Sequence, residues 1–223
     1  MNRVIVFDVN ETLLDLRALR PHFERAFGDA KVVQQWFALL LHSSMVTTLT
    51  HTYSDFGALG GAALELVAAS NGVVLQEEDR HTILSTMRNL HPHPEVKSSL
   101  ERLRATGFRL ATLTNSSYEM LDAQMTNAGL REYFEVCLSV DEVCRFKPAP
   151  EVYRMAAEKL GVAIHQIRLV AAHDWDVFGA LKAGCMGAFI ARGGRKYHRL
   201  YERPDIVGAD LNEVAEQILR IDR

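Results

Sequence analysis

The chain is sparing with the residues that would place it in several large classes of protein. Its 223 residues include only three cysteines, Cys137, Cys144 and Cys185. Odd in number and widely spaced, they match neither a disulfide framework nor a zinc-ligand pattern, and they read as buried or incidental thiols. No apolar run approaches the roughly 18 residues that a bilayer-spanning helix needs. The first residues lack the charged, apolar and small-residue regions of a secretory signal, so a reducing cytoplasm is the expected setting. A net charge of −3 gives no basic surface, which argues against nucleic acid or an anionic membrane as partner. Internal repeats and low-complexity tracts are missing too.

The rest of the composition is that of an ordinary soluble protein, with 48% hydrophobic and 24% charged residues. The length suits one domain with a modest insertion. Everything is arranged around the stretch Val4-Ile5-Val6-Phe7-Asp8-Val9-Asn10-Glu11-Thr12-Leu13-Leu14. Four apolar residues predict a short buried strand, and Asp8 ends it. In a parallel α/β sheet, ligands bind beyond the carboxyl ends of the strands, so Asp8 is placed where chemistry happens.

Residues 16–91 then read as helical throughout. Leu16, Leu19, Phe23, Ala26 and Phe27 share one face, as do Val33, Trp36, Phe37, Leu40 and Leu41. Helices are also predicted over 55–70, stopped by Asn71-Gly72, and over 77–89, while 47–53 is Thr-rich and ambiguous. From about residue 95 the pattern alternates. Strands are predicted at 108–113, 136–138, 167–171, 188–191 and 206–207, and helices at 96–105, 118–127, 151–160, 175–183 and 211–219. Such alternation predicts an α/β fold built on a doubly wound parallel sheet. The helical block between the first strand and the rest predicts an inserted cap. The expected division is a catalytic core of 1–15 and 93–223 and a helical cap of 16–92. His91-Pro92-His93-Pro94 is the expected hinge, because residues before proline resist helix.

Polar residues cluster where the strands end: Asp8, then Thr114 and Asn115, then Ala171-Ala172-His173-Asp174-Trp175-Asp176, with Arg145-Phe146-Lys147-Pro148 between. Residues 7–13, 113–116, 138–143, 146–153 and 170–176 together resemble the haloacid dehalogenase superfamily, and more closely its type II L-2-haloacid dehalogenase branch. The resemblance spans nearly the whole chain.

Most members of that superfamily are magnesium-dependent phosphatases with a second aspartate two residues after the nucleophile and another after the fourth strand. Here Asn10 takes the first place, and an amide cannot shuttle protons. Ala172 takes the second, and a methyl group cannot ligate Mg²⁺, although Asp174 and Asp176 stand close by. The residues therefore fit a metal-free, cofactor-free displacement better: Asp8 attacks an sp³ carbon, and water hydrolyses the resulting ester. Lys147 is expected to hold Asp8 ionised, since an opposite charge within about 4–6 Å lowers a carboxylate pKa by about 1–3 units.

The resemblance implies further roles. Thr12 would position Asp8. Thr114 and Asn115, with the backbone N–H groups of Val9 and Asn10, would hold the substrate, and Tyr153 matches a dehalogenase tyrosine counted with the substrate-binding residues. Asp176 matches the carboxylate that activates water, or is simply a helix N-terminal carboxylate favoured by the dipole. His173 would bond the ester, act as a base toward water, or only structure its loop. Two departures stand out: Phe37 replaces the arginine that receives the halide, and Ala171-Ala172-His173 replaces a Ser-Ser-Asn run. His42 is either a replacement donor or an ordinary cap histidine. The basic run 192–199 reads as a solvated loop. The expected activity is hydrolysis of small 2-haloalkanoic acids to 2-hydroxy acids, with a homodimer implied by the resemblance. A magnesium-dependent phosphatase and a hydrolase opening a small cyclic amino acid at carbon–nitrogen are the alternatives.

Overall fold

The computed structural model describes residues 3–222. Its centre is β1 (Val4–Phe7), four residues with every side chain buried. Around it lie β2 (Arg109–Thr114), β3 (Val136–Ser139), β4 (Ile167–Ala171), β5 (Met186–Ile190) and β6 (Ile206–Gly208). They form one sheet in the order β3-β2-β1-β4-β5-β6, and every pairing is parallel. The predicted doubly wound sheet is therefore present. The chain fills one side of β1, then returns to fill the other, so β1 stands where the winding reverses. Such a switch point opens a crevice at the carboxyl ends of its strands.

The α/β part carries α5 (Val96–Ala105), α6 (Tyr118–Asn127), α7 (Pro150–Leu160), α8 (Asp174–Ala183) and α9 (Leu211–Ile221). Between β1 and α5 runs a wholly helical segment: α1 (Arg20–Phe27), α2 (Val32–Leu49), α3 (Phe56–Ser70) and α4 (Glu77–Thr86), with short 3-10 turns at Leu16–Leu19 and Met87–Asn89. The two crossings into and out of this segment lie side by side. Asp15 N donates to His91 O at 2.9 Å and His93 N to Leu13 O at 2.9 Å.

Local departures from the sequence pattern have local causes. The helix predicted from residue 16 starts as a 3-10 turn capped by Asp15, because Pro21 occupies the first turn of α1. The ambiguous threonines belong to α2 and its end. Thr47 and Thr50 donate to Ser44 O at 3.0 Å and Val46 O at 2.9 Å, so each hydroxyl is satisfied by its own helix. Cys185 is buried and Cys137 partly so, but Cys144 is exposed. Among the described residues no helix is long and apolar enough to cross a membrane.

Candidate active site

Asp8 continues β1 into the crevice, where its backbone N–H still pairs with Val170 O at 3.0 Å. The chain then turns tightly, with Leu13 N and Leu14 N both donating to Val9 O. That turn brings Thr12 back over Asp8. The Thr12 hydroxyl donates to Asp8 Oδ2 at 2.6 Å and accepts from Ala172 N at 2.9 Å, which fixes the direction of its proton. Arg192 holds the Thr12 carbonyl at 3.1 and 2.7 Å.

Lys147 is fully enclosed, and its three protons are all placed. Nζ donates to Asp8 Oδ1 at 2.8 Å, to Leu113 O at 3.0 Å and to Asp176 Oδ2 at 2.6 Å. Asp176 projects from the first turn of α8. Its other oxygen accepts the Tyr153 hydroxyl at 2.7 Å. Burial opposes ionisation of Asp8, but Lys147 and then His173 outweigh it and hold the carboxyl below the ordinary range. For Asp176 burial prevails over Lys147, and the nearby Asp8 charge adds to it, so its pKa is raised. Two carboxylates about one ammonium thus acquire opposite tendencies, one to remain ionised and one to accept a proton.

His173 is the N-cap residue of α8. Its Nδ1 lies 3.2 Å from Asp8 Oδ2 and its Nε2 3.0 Å from Glu11 Oε2. The ring is packed between Trp175 at 5.2 Å and Phe37 at 6.1 Å, centroid to centroid. Burial disfavours its charge, but the two carboxylates prevail and push the pKa up to about 9. At neutral pH the ring is therefore an imidazolium, a donor at both nitrogens. Of the roles open in the sequence, donation fits this state, whereas a general base needs a free lone pair.

Asn10 is tied into the wall of the crevice, donating to Ser116 Oγ at 3.2 Å and accepting from Gln124 at 3.0 Å. Thr114 Oγ1 accepts from Ser116 N at 3.2 Å, and Asn115 Oδ1 accepts from Lys147 N at 3.0 Å. The Asn115 amide nitrogen is buried without a partner among the described residues, a free donor of the kind that a substrate oxygen satisfies.

The structure thus brings together Asp8, Thr12, Lys147, His173 and Asp176, with Asn10, Thr114 and Asn115 alongside. Tyr153 differs from its expected place among the substrate-binding residues: only 1% exposed, it sits behind Asp176 with its hydroxyl committed there. His42 is exposed on α2. The basic run is not merely solvated, because Arg192 also pairs with Glu95 at 2.8 Å and Arg195 clasps Glu11 at 2.6 and 3.0 Å. Glu11 and Arg195 carry no sequence signal of their own; only folding brings a loop near residue 195 to the turn after β1. A groove of about 860 Å³ runs past Glu11, His173 and Phe37 to Arg17 and Arg192.

Among the described residues, no group of three or more His, Cys, Asp or Glu is arranged as a metal centre. Lys147 Nζ stands between Asp8 Oδ1, at 2.8 Å, and Asp176 Oδ2, at 2.6 Å.

A buried, lysine-paired carboxylate at the central strand of a doubly wound sheet, faced by a second carboxylate of raised pKa, defines a hydrolase working through an aspartyl intermediate. Comparison with known proteins agrees. The family model of the haloacid dehalogenase-like hydrolases matches residues 2–184, and the chain belongs to that family. It is 31% identical over 214 residues to the (S)-2-haloacid dehalogenase of Pseudomonas sp. strain YL, covering 95% of this chain and 92% of the relative. It is 30% identical to (S)-2-haloacid dehalogenase 2 of Pseudomonas sp. strain CBS-3, covering 95% and 93%. The structure of the Xanthobacter autotrophicus L-2-haloacid dehalogenase with chloropropionic acid covalently bound superposes with a TM-score of 0.91 at 26% identity, covering 99% of this chain and all of that one.

Proposed function

We propose that this enzyme displaces halide from small 2-haloalkanoic acids and hydrolyses the resulting aspartyl ester to the 2-hydroxy acid. One observation carries the reading: Asp8 is held ionised by Lys147 while Asn10 and Ala172 stand where an acid and a metal ligand would otherwise be needed. The named activities of the relatives, and the covalent adduct of the Xanthobacter enzyme, support it.

In this reading Asp8 attacks C2 in line and the halide leaves with the bonding pair. Thr12 and Lys147 hold the nucleophile, and Lys147 keeps it charged. Asn115 and Thr114, with the N–H groups of Val9 and Asn10, receive the substrate carboxylate. Asp176, aligned by Tyr153, takes a proton from the water that attacks Asp8 Cγ; its raised pKa suits a base. The helical segment 16–92 acts as a cap whose Phe37, with Val33 and Leu41, lines the groove beside His173. Three unpaired thiols favour a reducing cytoplasm, and the exposed Val46, Leu49 and Leu66 of the cap helices favour a homodimer.

The test is halide release from 2-chloropropionate in excess EDTA. Release by the wild type, none by Asp8→Asn, and an aspartyl ester trapped on Asp176→Ala by mass spectrometry are expected. Phosphate release from simple esters that requires Mg²⁺, without halide release, sinks the reading. Phe37, in place of a halide-binding arginine, favours one variant of the same chemistry, opening of a strained cyclic amino acid at carbon–nitrogen. Azetidine-2-carboxylate belongs in the same assay.

A further inference from the structure

We propose that Glu11, clasped by Arg195, is a positioning residue that keeps His173 a hydrogen-bond donor to Asp8 Oδ2, making Oδ2 the oxygen that carries the charge when water attacks the ester. The inference rests on the ester chemistry proposed above and assigns its second half to a chain of side chains, Arg195–Glu11–His173–Asp8.

The geometry of Glu11 is the first ground. Its φ is 63°, in the left-handed region that side-chain-bearing residues adopt only at a cost. From that backbone its carboxylate meets His173 with Oε2 at 3.0 Å, and both its oxygens meet Arg195, at 2.6 and 3.0 Å. A forked pair of this kind fixes orientation as well as charge. Burial opposes the charge on Glu11, yet His173 and Arg195 hold its pKa down to about 2.

The second ground is the asymmetry of the nucleophile. Asp8 Oδ1 accepts one bond, from an ammonium shared with Asp176; Oδ2 faces two donors, Thr12 and His173. An oxygen with two donors is a poor attacker and a good seat for negative charge. Oδ1 therefore forms the bond to C2 as the leaving group departs, and Oδ2 becomes the ester carbonyl oxygen. Water then adds to Cγ, its proton passing to Asp176, and the C=O pair moves onto Oδ2. Collapse of that oxyanion expels Oδ1 with the product, which takes the proton back from Asp176; the water oxygen stays in Asp8, and its second proton leaves to solvent, restoring the carboxylate. Donors preset at the oxygen where charge develops act in this step. Nor can His173 receive the leaving group: bonded to the attacking carboxylate, it lies on the wrong side of C2 for an in-line departure.

The charged groups about the ring are Asp8 and Glu11 in contact, Arg195 beyond Glu11 and Lys147 beyond Asp8. On α8 itself lie Asp174 and Asp176, and the helix N-terminus disfavours a cation there. Phe37 from α2 and Trp175 add no charge. Across the groove stand Asp15, Arg17, Arg20, Arg192, His93 and Glu95.

Glu11→Gln keeps the shape and removes the charge; Arg195→Met, on a half-exposed loop, loosens the clasp and leaves the turn after β1 untouched. For Glu11→Gln, NMR titration of the His173 ring is expected to fall from about 9 by about two units. In single-turnover mass spectrometry, ester formation stays near wild type. Ester hydrolysis at pH 8.5 slows by about 10- to 100-fold and recovers at pH 6, where the ring is protonated without help. Arg195→Met shifts the same readouts less. A wild-type pH profile in both variants, or an equal loss at every pH, overturns the proposal. If the wild type leaves 2-chloropropionate, fluoroacetate and azetidine-2-carboxylate all untouched, the proposed function falls with the oxyanion role, while an unshifted titration in a folded Glu11→Gln rejects the Glu11 clasp on its own.

Discussion

Tyr153 donates its single hydroxyl proton to Asp176 Oδ1 at 2.7 Å, with the Asp176 carbonyl a second acceptor at 3.1 Å. A buried hydrogen bond to a charged group contributes about 1.5–3 kcal/mol. Tyr153→Phe is therefore expected to lower kcat by about 10- to 100-fold and to leave KM for 2-chloropropionate nearly unchanged, with the ester accumulating in the mass spectrum. A tyrosine that binds substrate gives the opposite split, a raised KM at constant kcat.

Phe37 and His173 are a matched pair. The aromatic ring covers the imidazolium at 6.1 Å, so an arginine at position 37 would set a second cation against the first, both poorly hydrated. Phe37→Arg is expected to cost several degrees of Tm and most of the activity. Adding His173→Asn to Phe37→Arg is expected to recover the lost Tm, and a double-mutant cycle by thermal denaturation measures the coupling. Equal losses in the single and double variants remove charge repulsion as the cause.

Gly179 lets α8 approach α7 closely. A Cβ there would lie 2.8 Å from the Tyr153 hydroxyl and would overlap Pro148. Overpacking of this kind costs about 1–3 kcal/mol. Gly179→Ala is expected to lower stability by that amount in urea unfolding and also to reduce turnover, because it displaces the residue that aligns Asp176.

The pH dependence of stability follows from the same site. His173 titrates at about 9 in the fold against an ordinary 6.5. A raised pKa gives stabilisation that is complete below about pH 6.5 and lost as pH rises through 9, on the order of 3 kcal/mol. Glu11 works in the opposite sense: lowered from 4.5 to about 2, it stabilises above about pH 4.5 and ceases to as pH falls through 2. Stability measured by urea unfolding is expected to be greatest near pH 5–6.5. His173→Asn should flatten the alkaline limb, and an unchanged alkaline limb in that variant contradicts the assignment.

The α/β alternation and strand-end polar residues were legible in the chain because each strand is a short apolar run closed by a turn signal. Asp8, Thr12, Lys147 and Asp176 were legible because their spacing is that of a known family. Tyr153 is matched in sequence without its partner, since a match finds a residue but not the direction of its hydroxyl, which here goes to Asp176. Glu11 and Arg195 escaped notice for a different reason. They are 184 residues apart, nothing in the sequence pairs them, and only the β4–β5–β6 side of the sheet swings one toward the other. The stretch 47–53 is ambiguous in sequence because β-branched threonines are weak helix formers; in the fold Thr47 and Thr50 donate back to carbonyls of α2.

The central position of β1 has a bearing on how the enzyme comes into being. Asp8, the carboxylate we propose as nucleophile, is made well before its partners: Lys147 follows it by 139 positions and His173 by 165. Until β2 is made β1 has no neighbour, and until β4 is made one of its sides stays open, leaving Asp8 hydrated. Charge pairing, burial and nucleophilicity therefore arrive together, once synthesis has passed α8. A chain arrested before residue 176 holds Asp8 and Lys147 without the second carboxylate that shares the ammonium.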